Sequence, residues 1–132
     1  MIYLLDANAI SDLLTRQGPV LAHLREALLR QDTLAVCRPI HYELLRGLLW
    51  RGATTKLAIL NQRILPQFTW VPLQDTDWKK AAQFWADARR QGRQLSDPDL
   101  LLAALADRMG STIVSNDTDF DILPIRREDW RV

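Results

Sequence analysis

The chain has 132 residues, 48% hydrophobic and 25% charged, a balance that excludes an intrinsically disordered chain and supports one domain over residues 1–132. Its formal net charge is +1, too small to draw nucleic acid to the molecule as a whole. The apolar runs are far shorter than a membrane span, Met1 meets Asp6 without a signal-peptide pattern between them, and the lone Cys37 excludes an internal disulfide; together these point to the cytoplasm.

Ile2-Tyr3-Leu4-Leu5 is a short apolar run ended by Asp6-Ala7-Asn8, and it reads as a buried strand. A helix is expected from Ala9 to about Arg16, stopped by Gly18-Pro19, and another from Val20 to Arg30. Thr33 to Cys37 is a second buried strand, with Cys37 as a packed residue rather than a nucleophile. Pro39 suits the first position of a helix that runs through Glu43 to Gly52. A further helix spans roughly Thr55 to Leu65. Phe68 to Leu73 is strand-like, with Pro72 marking its end or an edge position.

Asp75 or Thr76 can cap a helix that ends near Gly92 and carries Trp78, Ala81, Ala82, Trp85 and Ala88 on one face. Core packing is the simplest role for those two tryptophans. Asp97-Pro98-Asp99 starts a helix, with Asp97 as cap and Asp99 in the first turn, and the helix stops at Gly110. Thr112 to Val114 is a third strand, ended by Ser115-Asn116-Asp117. Leu123 to Ile125 and Trp130 to Val132 are candidates for short edge strands. Strands alternating with helices imply an α/β sandwich with a central, mostly parallel sheet, where ligands bind beyond the carboxyl ends of the strands.

Four carboxylates fall at that edge. Asp6 closes the first strand and Asp117 follows the last well-defined one. Asp99 stands in the first turn of the helix feeding that strand, and Glu43 is about one turn into the helix leaving the second. Each position alone has an ordinary explanation as a cap, turn or helix-surface residue; their joint placement is what points to function. Gathered acids repel and raise one another's pKa unless a cation or shared protons offset them.

Oxygen donors with only two histidines, His23 and His41, and one cysteine favour Mg²⁺ or Mn²⁺ over zinc. Asp6 and Asp99 are the first choices as metal ligands. Glu43 and Asp117 complete the catalytic acids, holding waters or moving a proton. Asn8 and Ser115 can orient water or a phosphate oxygen without adding charge, while Asp97, Asp119 and Asp121 read as cap and turn residues. Such a site suits cleavage of a phosphodiester by a metal-activated water.

At these residues the sequence resembles the PIN-domain ribonucleases, and more narrowly the VapC-type toxins of type II toxin–antitoxin pairs. The resemblance is carried by Tyr3-Leu4-Leu5-Asp6-Ala7-Asn8-Ala9-Ile10-Ser11, Tyr42-Glu43-Leu44-Leu45-Arg46-Gly47, Leu95-Ser96-Asp97-Pro98-Asp99-Leu100, Val114-Ser115-Asn116-Asp117-Thr118-Asp119-Phe120 and Glu128-Asp129-Trp130. It implies a PIN-domain-like α/β/α sandwich and a Mg²⁺-dependent endoribonuclease that cuts RNA, transfer RNA being a common target class, and so arrests translation. It also implies a cognate antitoxin and a homodimer that assembles further with that antitoxin. Ala7 departs from the hydroxyl residue usual at its position, and Asp117 lies in the most variable of the motifs. Trp50, Arg46 and Arg51 are candidates for a dimer or antitoxin groove.

Two other readings remain. A haloacid-dehalogenase-type phosphatase also places an aspartate after its first strand, but there a second acid stands where this chain has Asn8, and only Lys56, Lys79 and Lys80 could supply its lysine. The other is a PIN-like module that binds without turning over.

Overall fold

A computed structural model describes residues 1–132. Five parallel strands form one sheet in the order β3-β2-β1-β4-β5, comprising β1 (Ile2–Leu5), β2 (Thr33–Val36), β3 (Thr69–Trp70), β4 (Thr112–Val114) and β5 (Arg126–Glu128). The central strand β1 pairs with β2 on one side (Tyr3 opposite Leu34) and with β4 on the other (Leu5 opposite Val114). Leu4, Leu5, Ala35, Val36, Ile113 and Val114 are all buried. Burial on both faces explains why these strands read as continuous apolar runs rather than as alternating ones.

Helices α1 (Ala7–Leu13) and α2 (Pro19–Leu29) connect β1 to β2. Helices α3 (Arg38–Trp50) and α4 (Thr54–Ile59) lead to β3, with α4 continuing as a π-helical turn over Leu60–Ile64. Helices α5 (Asp75–Arg90) and α6 (Asp97–Met109) return across the sheet to β4. With right-handed crossovers, the outward steps place their helices over one face and the return places α5 and α6 over the other. The result is an α/β/α sandwich. No helix is long and apolar enough to cross a membrane.

Several local expectations are corrected. The first helix begins at Ala7, because the Asp6 carboxylate accepts the Ala9 N–H at 2.8 Å and serves as its cap. Cys37 is buried at the cap position of α3 rather than in the strand, and burial pushes its thiol up to about 11. Ser96, not Asp97, caps α6: its hydroxyl accepts the Asp99 N–H at 3.3 Å. That helix closes on Gly110, whose φ of 59° is the left-handed conformation that suits glycine. The final strand is Arg126–Glu128, flanked by turns where strands had been expected. The strand expected over residues 68–73 shrinks to two residues at the sheet edge.

Trp78 and Trp85 are 57% and 45% exposed, so they are not core residues. Ala81, Phe84 and Ala88 form the buried stripe of α5 instead. The tryptophans border an apolar groove with Leu100 and Leu101 of α6. Helical spacing puts Trp78, Ala81, Ala82, Trp85 and Ala88 on one broad face, but only part of that face is buried in the packing of α5 against α6.

The start of α5 is tied to the end of α6 through Asp77, which is 1% exposed. Its carboxylate accepts the Gln74 N–H at 2.8 Å and two bonds from Arg108, from Nε at 2.9 Å and Nη2 at 3.1 Å. Burial pushes this acid up, but the guanidinium fork and the amide outweigh it and hold Asp77 below the usual aspartate range. Asp77→Ala should therefore lower unfolding stability by about 2–3 kcal/mol, through loss of a helix cap and one arm of a largely buried ion pair. Denaturant titration of the variant beside Asp75→Ala, which lacks these bonds, measures the difference.

Candidate active site

The sheet order reverses at β1: the chain steps outward through β2 and β3, then returns to lay β4 on the opposite side. Such a switch point opens a crevice at the carboxyl ends of the two flanking strands. Asp6 stands at the end of β1 and is 3% exposed, and its N–H donates to the Val114 carbonyl at 3.1 Å. Across the crevice, Ser115 to Asp117 leave β4. The Ser115 hydroxyl is buried and accepts the Asp117 N–H at 2.9 Å, while Asp117 Oδ1 accepts the Asp119 N–H at 2.9 Å as the cap of a 3₁₀ turn over Thr118–Ile122.

Glu43 lies in the second turn of α3 and Asp99 is the third residue of α6. Both are half-buried, and α3 packs on both α1 and α6. Asn8 is exposed on α1 and lines a groove with Glu43.

The charges record how closely these side chains gather. Burial, then the negative charges of Asp6 and Glu43, and more weakly Asp117, push Asp99 up to about 7 against some relief from the Ser96 hydroxyl. Asp6 is raised by burial, countered by the Ser115 hydroxyl and the Ala9 amide, with the Asp117 charge adding to the rise and Arg131 opposing it. Glu43 is raised by burial, eased by Arg46 and raised again by Asp6. Every one of the four carboxylates thus lies in the field of at least one other, and Asp99 feels all three.

They do not close into a cage: nowhere do three His, Cys, Asp or Glu side chains sit tightly enough to enclose an ion. An open set of this kind still fits Mg²⁺, which keeps several waters and takes only one or two protein carboxylates. The histidines are engaged elsewhere. His23 Nε2 is 3.0 Å from the Val132 carbonyl oxygen and its ring stacks on Trp130, while His41 meets Trp70 edge-on. Oxygen chemistry alone remains, which favours a hard dication over zinc.

The acids set aside as structural are paired. Asp119 bonds Arg93 at 2.8 Å and Asp121 bonds Arg127 at 2.8 Å. Asp97 faces the tryptophan groove. No lysine acts on Asp6, Glu43 or Asp99, and Lys80 pairs with Asp107. A phosphatase of the haloacid-dehalogenase type has no support in that arrangement.

Sequence reasoning missed three residues near the site. Arg131 reaches back to Asp12 of α1 with bonds of 2.6 and 3.2 Å, and its charge lowers Asp6. Ser11 and Gly47 line the groove beside Glu43. Only the helical period of α1, which sets Ser11 one turn from Asn8, could have signalled any of them.

Comparison with known proteins agrees with this geometry. The family model for the PIN domain matches residues 3–125. Ribonuclease VapC11 of Mycobacterium tuberculosis is 33% identical over 124 residues, spanning 91% of this chain and 90% of that protein, and VapC ribonuclease Mb1587 of Mycobacterium bovis matches equally. Among solved structures, FitAcB from Neisseria gonorrhoeae superposes with a TM-score of 0.80 at 27% identity over 98% of this chain and 97% of that one. VapBC2 from Rickettsia felis, solved with a DNA fragment from its promoter, has a TM-score of 0.80 over 98% and 99% of the two chains; at 21% identity it speaks for the fold alone. The chain belongs to the PIN-domain family, among its VapC-type ribonuclease toxins.

A stability consequence follows from Asp99. Its folded value near 7 lies above the ordinary aspartate value of about 3.9, so the folded state binds more protons between those limits. Stability without added metal should be highest below about pH 4 with respect to this group, fall as pH rises toward 7, and carry the full penalty above it. Asp99→Asn should flatten that fall and melt no lower than the parent at pH 8. Thermal melts in chelator across pH 5–8 give the comparison, and a large destabilisation at pH 8 would make Asp99 a structural residue.

Proposed function

We propose that this chain is a Mg²⁺-dependent endoribonuclease acting through Asp6, Glu43, Asp99 and Asp117, and the toxin of a cytoplasmic toxin–antitoxin pair. The observation that carries the reading is Asp99, pushed up to about 7 by burial and then by the charges of three other acids at the sheet's switch point. Burying so much like charge is costly, and a bound dication is the simplest occupant that relieves it. Mn²⁺ fits the same donors.

Asp6 and Asp99 are the proposed ligands. Asp6 is held in place by the Ala9 N–H at Oδ1 and by the Ser115 hydroxyl, which together fix the direction its carboxylate faces. The Asp99 carboxylate carries no backbone bond, and the Ser96 hydroxyl is the one hydrogen-bonding group that eases it. Bound there, Mg²⁺ would polarise the scissile phosphodiester and lower the pKa of an attacking water.

Glu43 and Asp117 hold waters at the edge of the pocket and accept or return a proton. Burial raises Glu43 above the ordinary glutamate range, the direction that favours proton exchange. Ser115 braces Asp117 through its backbone rather than touching substrate. Asn8, exposed on α1, is placed to meet the RNA strand. The whole of residues 1–132 acts as one nuclease unit.

The partnership rests on the relatives. The neighbouring structures include toxin–antitoxin complexes, among them VapBC assemblies from Rickettsia felis and Haemophilus influenzae. An antitoxin that covers the acidic crevice, on a toxin homodimer, is the corresponding arrangement here. Transfer RNA is the first substrate to test.

Purified protein incubated with transfer RNA should cleave it in Mg²⁺ or Mn²⁺ and stop in chelator. Asp6→Asn and Asp99→Asn should each reduce the rate on the order of a hundredfold or more while keeping the native circular dichroism. Undiminished cleavage by both folded variants would reject these residues as the working acids. Tight antitoxin binding by a parent that cuts no RNA would leave the chain a binding module.

A further inference from the structure

The acidic crevice continues into a groove of about 180 Å³ between α1 and α3, whose lining includes Asn8, Ser11, Glu43, Leu44, Gly47 and Arg51. Glu43 belongs to both. Its carboxylate lies in the field of Asp6 and Asp99 on one side, and its helix borders the groove on the other.

Arg51 follows the last turn of α3, and its guanidinium folds back along the helix. A Cβ placed on Gly47 would lie 3.5 Å from Arg51 Nη1, 3.8 Å from Nη2 and 4.0 Å from Cζ, so the fork turns its nitrogen end back to that glycine. Glycine inside a helix is unfavourable relative to alanine. A methyl group there would meet the guanidinium at ordinary van der Waals distance, so only a larger side chain would displace the fork. Arg93, Arg108, Arg127 and Arg131 are all paired with carboxylates, whereas Arg51 makes no side-chain hydrogen bond or ion pair.

We propose that this groove is a phosphate subsite of the RNA-binding surface, with Arg51 gripping the phosphate next to the one held at the acids and Asn8 and Ser11 bonding its free oxygens. The inference rests on the nuclease reading. A strand whose scissile phosphate lies at Asp6 and Asp99 must carry its neighbouring phosphates over adjacent surface. The groove starts at Glu43, and the Arg51 guanidinium, from a residue two turns on, folds back beside Gly47, about one helical turn beyond Glu43. Guanidinium is the side chain best shaped for two phosphate oxygens at once. The polar lining and small floor residues suit a sugar-phosphate backbone better than an apolar side chain. Gly47 lines the groove beneath the fork and adds no side chain to fill it.

Arg51 also neutralises the carboxyl end of α3, a role that lysine would fill equally. The test separates the two roles. In Mg²⁺, Arg51→Ala should raise KM for RNA about five- to tenfold with kcat nearly unchanged, and Arg51→Lys should restore only part of the loss. Gly47→Leu, which fills the groove floor without breaking the helix, should raise KM in the same direction. Binding of a labelled single-stranded oligoribonucleotide, followed by fluorescence anisotropy in the Asp99→Asn background, should lose about 0.7 from its log–log salt slope when Arg51 is removed. Unchanged KM and salt slope in Arg51→Ala, with the parent still cutting RNA, would overturn the subsite and assign the groove to a protein occupant. A lower melting temperature with unchanged KM would make Arg51 a helix-end residue only. A parent that neither binds nor cuts RNA would fail the nuclease reading itself.

Discussion

Mutual repulsion among carboxylates held in a partly desolvated crevice is the constraint around which this molecule is organised. Asp6, Glu43, Asp99 and Asp117 come from four separate stretches of sequence, and each is placed by something other than its charge. A strand end and helix cap fix Asp6, and a cap on a 3₁₀ turn fixes Asp117. Helix register fixes the other two. The fold imposes the juxtaposition, and the stability needed to do so comes from the apolar sheet beneath and from the peripheral ion pairs.

The division between paired and unpaired acids follows the same logic. Asp12, Asp77, Asp119 and Asp121 each have an arginine at bonding distance, and they tie the periphery of the fold. The four crevice acids have none. Arg46 and Arg131 ease Glu43 and Asp6 through their fields without bonding either. Acids kept apart from nearby guanidinium groups retain their affinity for an external cation; direct ion pairs would have quenched it.

Much of this was legible in the residues. Ile2–Leu5, Thr33–Val36 and Thr112–Val114 were readable because strands buried on both faces are continuously apolar, and the parallel order followed from helices between them. The four acids were readable because strand ends in such a sheet share an edge. What was not legible depended on tertiary cover. Trp78 and Trp85 share the helical face of Ala81 and Ala88, and nothing in their spacing tells which part of that face its neighbours bury. Ser96 and Asp97 are both good caps, and backbone geometry rather than composition decides between them. Arg51 gave only a general hint of a groove, since its folding back over Gly47 depends on a rotamer.

The two margins of the sheet carry one more consequence. One outer strand is only Thr69–Trp70, with Pro72 just beyond it, and the other is Arg126-Arg127-Glu128. A brief rim closed by a residue without an amide proton, and an opposite rim crowded with ionic groups, both give a foreign strand little to zip onto. Such margins guard against runaway cross-chain stacking, leaving this protein free to present adhesive tryptophan surface elsewhere without polymerising through its backbone.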